Sequence, residues 1–252
     1  MTRDAAKVVM ELSTGATPTW DMMLVTDAHY ATLFTNGALE KFDWVGTFGV
    51  DPKAIFYDGT SVAYATQFVA PAYNKQLVKT AEVPKKWEDL LDPKWQGKIG
   101  VTTAHHHWAR LGQLWGDEKT SKYLQTLASQ KLVRGRIPET YTRLLLGEIL
   151  VSATLTDSYI DEAREKGAPV AFVDSVDPII GTQYLAAPLK GARSKNAALL
   201  FAAHLLSSEG QAVWFKSQGQ SSMFVKGSQA HEFAQKRNVA LLEYKFATTR
   251  FE

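Results

Sequence analysis

Residues 87–101 constrain the fold of this chain more than any other stretch of its 252 residues. The stretch begins with a short acidic turn that runs into Asp92 and Pro93, and proline disfavours helix at the residue before it. A short apolar strand follows at 99–101 and opens onto the polar run 102–107, which reads Thr-Thr-Ala-His-His-His. An apolar strand that ends in a polar turn is typical of open α/β sheets, where ligands lie beyond the carboxyl ends of strands.

Strand-like and helix-like segments alternate along the rest of the chain, which indicates an α/β fold. The apolar run 21–25 predicts a buried parallel strand, and Thr26 or Asp27 is suited to cap the helix that follows. Residues 149–156 are predicted as a strand and residues 158–166 as a helix. A second strand of the sheet therefore also ends in a polar turn.

The composition excludes several classes of function. Lys and Arg (28) nearly balance Asp and Glu (26), and they are interleaved rather than clustered, so no nucleic-acid partner is expected. The absence of cysteine rules out disulfides and thiolate metal sites. No stretch approaches the roughly 20 apolar residues of a membrane helix. Residues 1–10 are too short and too charged for a signal peptide, so either the export signal has been removed or the protein stays in the cytoplasm.

Common catalytic motifs are missing from the sequence. It contains no G-x-S-x-G nucleophile elbow, no G-x-x-x-x-G-K-[ST] phosphate loop, no G-x-G-x-x-G fingerprint and no H-E-x-x-H zinc motif. Catalytic groups can be far apart in sequence, so this leaves the question of an enzyme open while favouring a binding protein.

The block W-x-D-L-L-D-P-x-W-x-G-K-I at 87–99 resembles the same block in bacterial extracellular solute-binding proteins, the ferric-iron-type receptors of ABC importers. Segments at 20–25, 72–75, 147–155 and 196–211 resemble that family in the same order. Several blocks in the right order are more specific than any single one.

The resemblance implies an α/β fold with two lobes, of the type 2 periplasmic-binding-protein kind. Lobe one is expected to comprise residues 1–75 plus 187–252, and lobe two residues 76–186. The resemblance also implies capture of a small polar or anionic solute in an interlobe cleft by hinge closure. An ABC permease would be the partner and the only link to a membrane. We expect a monomer, periplasmic or secreted as the full-length protein, and no cofactor, although a metal remains an open alternative.

Two departures from the family pattern affect these expectations. Family members usually have a strand, a helix and a second strand before the stretch that matches 20–25, but only about twenty residues precede it here. The first lobe is therefore expected to be incomplete, either because the sequence is truncated or because the receptor is short. Ferric-binding members have two adjacent tyrosines after the strand matching 149–155, whereas this chain has Ser158 and Tyr159. Ferric iron is expected to bind poorly.

Polar turns after the predicted strands supply the candidate ligand-binding residues, because a helix N-terminus attracts negative charge. An arginine near the start of a helix could clamp a carboxylate or phosphate, which adds Arg136. The candidates are Thr26, Asp27, Thr102, Thr103, His105, His106, Arg136, Tyr141, Asp157 and Tyr159.

The three adjacent histidines suggest a second kind of site. In an extended strand alternate side chains share a face, so His105 and His107 could bind one metal ion while His106 points away. The alternative function is a hydrolase or lyase on the same scaffold, which would use residues 105–107 with Asp157 or Tyr159.

Overall fold

The computed structural model describes residues 3–243 and 245, with the backbone alone for Glu162 and Arg164. The α-helices are α1 (Arg3–Ser13), α2 (Tyr30–Thr35), α3 (Trp44–Phe48), α4 (His106–Trp115), α5 (Asp117–Ala128), α6 (Ile137–Leu146), α7 (Asp157–Glu165), α8 (Lys195–Leu206), α9 (Ser208–Gln218) and α10 (Gln229–Ala234). The strands are β1 (Met22–Thr26), β2 (Ile55–Phe56), β3 (Ser61–Asn74), β4 (Ile99–Thr102), β5 (Val133–Gly135), β6 (Val151–Thr156), β7 (Val170–Phe172), β8 (Ile179–Pro188) and β9 (Val239–Ala240). None of the described helices is long and apolar enough to cross a membrane.

The chain divides into two compact units. The first takes in the described residues of Met1–Thr66, Thr182–Lys236 and Leu242–Glu252, and the second takes in Gln67–Gly181 and Arg237–Leu241. Strands β3 and β8 each contribute residues to both units. The lobe boundaries expected from the sequence lie further along the chain than these divisions, and the role of the units as lobes that close on a ligand stays a prediction.

In the first unit, β1 pairs with β8 and β2 forms a hairpin with the start of β3. Buried apolar side chains form two clusters, one around Tyr30 and Tyr57 and the other around Trp44 and Tyr64. The Tyr30 hydroxyl donates to the Leu185 carbonyl at 2.9 Å. Helix α2 and strand β8 are thus joined through a buried phenol whose polar end is satisfied, as burial requires.

The prediction that 21–25 is a parallel strand is wrong. Strand β1 runs antiparallel to β8, with Met22 opposite Pro188 and Thr26 opposite Tyr184. The strand is also less buried than expected, since Leu24 is 37% exposed. An apolar run indicates burial but not strand direction, which here depends on a partner strand more than 150 residues further along the chain.

In the second unit, β4 pairs in parallel with β5 on one side and with β6 on the other. Strand β6 and the second half of β3 are antiparallel, and β7 also pairs with β3. Helices α6 and α7 pack onto this sheet. Leu144 of α6 and Ile160 of α7 share one buried cluster with Leu155 of β6. The carboxyl ends of β4, β5 and β6 therefore lie along one edge.

The aromatic residues of the 87–99 block are structural. Trp87 is fully buried, and its indole N–H donates to the Pro178 carbonyl at 2.9 Å. The Tyr123 hydroxyl donates to the Trp87 carbonyl at 2.9 Å, and the Trp87 ring meets the rings of Trp108 and Trp115 edge-on. The block thus fixes helices α4 and α5 beside strand β4.

Candidate functional site

Three turns of the second unit lie at the same edge of its sheet. Strands β4, β5 and β6 are parallel neighbours and end at Thr102, Gly135 and Thr156. Each is followed by a helix, namely α4, α6 and α7. This edge of a parallel sheet is where α/β proteins bind ligands. Among the candidates, it brings together Thr102, Thr103, His105, His106, Arg136, Asp157 and Tyr159.

The turn after β4 is held rigidly at its base and is polar at its surface. The Thr102 side chain is buried, and its hydroxyl lies 2.9 Å from the Thr154 hydroxyl of β6. The backbone N–H of Thr103 donates to the Gly135 carbonyl at 3.0 Å. The side chains of Thr103 and His105 are exposed. Thr102 thus fixes the two strand ends together, while Thr103 and His105 face solvent.

The metal alternative required an extended backbone at residues 105–107, and the structure does not have one. Strand β4 ends at Thr102, and helix α4 begins at His106 with His105 at its N-cap. Side chains two residues apart on a helix point in nearly opposite directions, so the alternation that suggested a His105–His107 metal pair is absent. Among the described residues, no group of three or more His, Cys, Asp or Glu side chains could hold a metal ion.

His107 belongs to the interior of the second unit. Its side chain is 1% exposed, and its Nδ1 atom has no hydrogen-bond partner among the described residues. Burial lowers the pKa of His107 well below its ordinary value, and repulsion from His106 when that ring is protonated and from the Arg110 guanidinium lowers it further. His107 is therefore neutral at physiological pH.

His106 is in contact with Arg110, one turn further along α4. An Arg110 Nη1 atom lies 2.9 Å from His106 Nδ1 and donates to the His106 carbonyl at 2.7 Å. Arg110 Nε donates to the Gly181 carbonyl at 3.0 Å, and the arginine side chain is fully buried. A buried guanidinium thus joins the first turn of α4 to strand β8.

The turn after β6 combines a carboxyl, a hydroxyl and a phenol. Asp157 accepts a hydrogen bond from the backbone N–H of Ser158 at 2.9 Å, and Gln67 Nε2 donates to the Ser158 hydroxyl at 3.0 Å. The rings of Tyr159 and Tyr141 lie 5.0 Å apart, and both are half-buried. Two predicted candidates from different helices, α6 and α7, are therefore in contact.

Asp157 has an unusual pKa for a carboxyl group. Burial raises the pKa of Asp157 to about 8, and the negative charge of Asp161 adds to the increase. Hydrogen bonds from the backbone N–H groups of Phe68 and Ser158 oppose this increase without cancelling it. Much of the Asp157 population is consequently protonated at neutral pH, so the turn carries less negative charge than its sequence suggests.

Arg136 has a structural partner at this edge. Its Nη2 and Nε atoms lie 2.8 and 2.9 Å from Oε1 of Glu139, whose other oxygen accepts from the Arg136 backbone N–H at 2.9 Å. These bonds cap helix α6. The guanidinium already binds a carboxylate, so the geometry gives no support for the predicted clamp on a ligand.

Thr26 and Asp27 lie in the first unit, where both have partners. The buried Asp27 carboxylate accepts from the backbone N–H groups of Ala28 at 2.8 Å and Gln183 at 3.3 Å. The Thr26 hydroxyl lies 2.7 Å from Nδ1 of His29. The Thr26 side chain makes no cap hydrogen bond. The Asp27 carboxylate links the end of β1 to β8 through the Gln183 backbone N–H.

Sequence reasoning missed Gln67 and Arg110. Gln67 is the only half-buried residue between Ser61 and Pro71 of the otherwise buried strand β3, and a lone amide in such a strand was a usable signal. Arg110 lies four residues after His106, so helical spacing places them side by side. Thr156 ends strand β6, and its buried hydroxyl has no hydrogen-bond partner among the described residues. No pattern in the sequence indicated this threonine.

Residues 2–240 match the model of the bacterial extracellular solute-binding protein family. The chain belongs to this family. An uncharacterised protein of Haemophilus influenzae is 33% identical over 163 residues, which are 60% of this chain and 45% of that protein. The match thus spans less than half of the relative's length.

Solved structures of periplasmic binding proteins share the fold. Iron-bound HitA from Pseudomonas aeruginosa has a TM-score of 0.75 at 22% identity, over 97% of this chain and 80% of that one. AfuA from Actinobacillus pleuropneumoniae with bound fructose-6-phosphate has a TM-score of 0.74 at 24% identity, over 96% and 80%. The Trichodesmium protein IdiA (FutA) with iron and citrate has a TM-score of 0.78 at 15% identity, over 97% and 84%.

These comparisons confirm the type 2 periplasmic-binding-protein fold and the solute-binding class predicted from the sequence. At such identities the structures establish the fold, and the ligands in their descriptions belong to those proteins. The family and the structures named above give no support to the hydrolase or lyase alternative. The family is extracellular, in agreement with the expected location outside the cytoplasm.

Proposed function

We propose that this solute-binding protein captures a small anionic organic solute for an ABC importer, and that the edge formed by β4 and β6 binds its charged group. One observation carries the proposal: two adjacent parallel strands end in polar turns that each begin a helix. Helices α4 and α7, which follow these strands, therefore both begin at one sheet edge.

An anion suits this edge for electrostatic reasons. The N-terminus of a helix carries a partial positive charge, which favours phosphate or carboxylate. The side chains of Thr103, His105 and Tyr159 add groups that can donate hydrogen bonds. The raised pKa of Asp157, about 8, reduces the negative charge that would otherwise repel an anion.

A sugar phosphate or a hydroxycarboxylate fits these donors better than a bare ferric ion. Ferric iron prefers several anionic oxygen ligands, and this turn supplies Tyr159 beside Ser158, not a pair of tyrosines. Related folds bind a sugar phosphate in one case and iron with citrate in another. We further propose that the two lobes close on the solute and that the closed protein delivers it to a permease. The full-length protein would be periplasmic or secreted.

A panel of ligands tests the proposed solute class by thermal shift and then by calorimetry. The panel comprises fructose, fructose 6-phosphate, inorganic phosphate, citrate and ferric citrate. We expect at least one of the anions to raise the melting temperature and to bind with one-to-one stoichiometry, while fructose, the neutral counterpart of its phosphate ester, does neither.

Variants of the edge locate the bound group. Tyr159→Phe and His105→Ala are each expected to weaken the same ligand by about 1–3 kcal/mol, because each removes a hydrogen-bond partner from a desolvated group. The melting temperature without ligand should change little. His204→Ala, which removes an exposed histidine on α8 in the first unit, is the control and should bind as the wild type does.

Two results would contradict the proposal. One is unchanged affinity in both edge variants when an anion binds. The other is a tyrosinate charge-transfer band at submicromolar ferric citrate that disappears in Tyr159→Phe, which would make the ferric ion itself the cargo.

A further inference from the structure

We infer that Arg110 is a positioning residue that holds neutral His106 in the tautomer with its proton on Nε2. One nitrogen of the Arg110 guanidinium makes two contacts with His106. Arg110 Nη1 lies 2.9 Å from His106 Nδ1 and 2.7 Å from the His106 carbonyl oxygen. This one nitrogen thus lies within hydrogen-bond distance of two atoms of the same histidine.

The protonation of the ring follows from what each group can do. Guanidinium nitrogens donate hydrogen bonds and cannot accept them, so Nδ1 must be the acceptor. A neutral imidazole that accepts at Nδ1 has its proton on Nε2. The opposite tautomer would point an N–H group at another N–H group within 2.9 Å.

The arginine is well placed to impose this choice because it cannot easily move away. Its side chain has no exposed surface, and its Nε donates to the Gly181 carbonyl at 3.0 Å. The guanidinium is held from strand β8 on one side and bonded to helix α4 on the other. The hydrogen bond at one ring nitrogen of a histidine determines which of the two nitrogens carries the proton.

The tautomer limits what His106 can contact through Nε2. A protonated Nε2 donates a hydrogen bond, so any group that meets it must be an acceptor, such as a phosphate, carboxylate or hydroxyl oxygen. A metal ion needs an unprotonated ring nitrogen, and Nδ1 is occupied by Arg110. This consequence rests on the proposed function, since it makes His106 a selector for oxygen-rich solutes over bare metal ions at the β4 turn.

NMR of protein labelled with ¹⁵N in its histidine rings tests the inference without any ligand. The two-bond proton–nitrogen pattern distinguishes the two neutral tautomers and the charged imidazolium, and His106→Gln assigns the signal. We expect His106 in the wild type to be the Nε2–H form at neutral pH. The Arg110→Met variant keeps the apolar stem and removes the hydrogen-bond donor. In this variant the His106 signal should move towards the mixture of tautomers that exposed His204 shows.

An Nδ1–H or imidazolium pattern for His106 in the wild type would overturn the inference, as would an unchanged tautomer in folded Arg110→Met. If Arg110→Met does not fold, the wild-type spectrum alone decides. The spectrum is recorded without solute, so an Nε2–H pattern in a protein that binds no anion of the panel supports the tautomer while refuting the proposed function. Addition of fructose 6-phosphate or citrate to a binding-competent protein should shift the His106 Nε2 signal and leave that of His204 unchanged.

Discussion

At the residue scale, the most informative side chain is Asp157, at the start of α7. The pKa of this carboxyl is about 8, compared with an ordinary value of 3.8, and burial is the largest cause. Between these two values the folded chain retains a proton that the unfolded chain has lost. The stability associated with that proton is therefore present at the acidic end of the interval and is lost as the pH rises towards 8.

Asp157→Asn isolates this effect. The amide keeps an oxygen that can accept from the Ser158 and Phe68 N–H groups, but it does not become charged. In urea denaturation, we expect the wild type to lose at least about 1 kcal/mol more stability than the variant between about pH 5 and about pH 8.5. Glu118→Gln, at an exposed carboxyl on α5, is the control and should follow the wild-type curve. Parallel curves for the wild type and Asp157→Asn would refute the raised pKa.

The positions of some candidate residues could be predicted from the sequence and those of others could not. Tyr159 was predicted to follow a strand, at a position that the family resemblance marks, and it lies in the first turn of α7 after β6. Arg136 was misjudged although its partner, Glu139, lies only three residues away, a spacing that suits a helix cap. The Asp27 bond to the Gln183 backbone joins residues 156 positions apart, so no local pattern could reveal it.

At the element scale, strand β4 is the part of the second unit on which the candidate site depends, and its packing leaves no room at Gly100. A Cβ atom there would lie 2.3 Å from Cδ1 of Ile149 and 3.0 Å from Cγ2 of Thr140. Both neighbours are buried, and Thr140 lies on α6. The glycine therefore allows helix α6 to approach β4 closely.

Gly100→Ala should destabilise the chain by about 1–3 kcal/mol, because an added methyl in a packed interior forces its neighbours to move. Gly112→Ala is the matched control. A Cβ there meets only Thr120, at 3.8 Å, and alanine favours helix over glycine by about 0.5–1 kcal/mol. Equilibrium unfolding in urea should thus shift in opposite directions for the two variants. Equal midpoints would contradict the close packing of α6 on β4.

The helices and strands could be predicted in part from the sequence. Segments of the right type were predicted for β4, β6 and α7. The direction of β1 was not, because its partner is distant in sequence. The extended backbone that the metal alternative required at residues 105–107 is absent, because a run of polar residues fits the end of a strand and the first turn of a helix equally well.

At the scale of the whole molecule, membership in the solute-binding family rests on a match that spans residues 2–240. Blocks of sequence in a fixed order, above all residues 87–99, were sufficient to predict the fold class. The solute was not predictable to the same degree. The contacts proposed for it lie on turns whose side chains bond to neighbours such as Gln67 and Arg110, which come from another strand or the next helical turn.

Native mass spectrometry of the protein incubated with the anion panel, and of the protein as purified, tests whether the protein carries an organic anion. We expect chains with one small organic anion, which is lost on unfolding and is less abundant in Tyr159→Phe than in His204→Ala. A metal ion bound without an organic anion, or a chain that stays bare in every member of the panel, would contradict it.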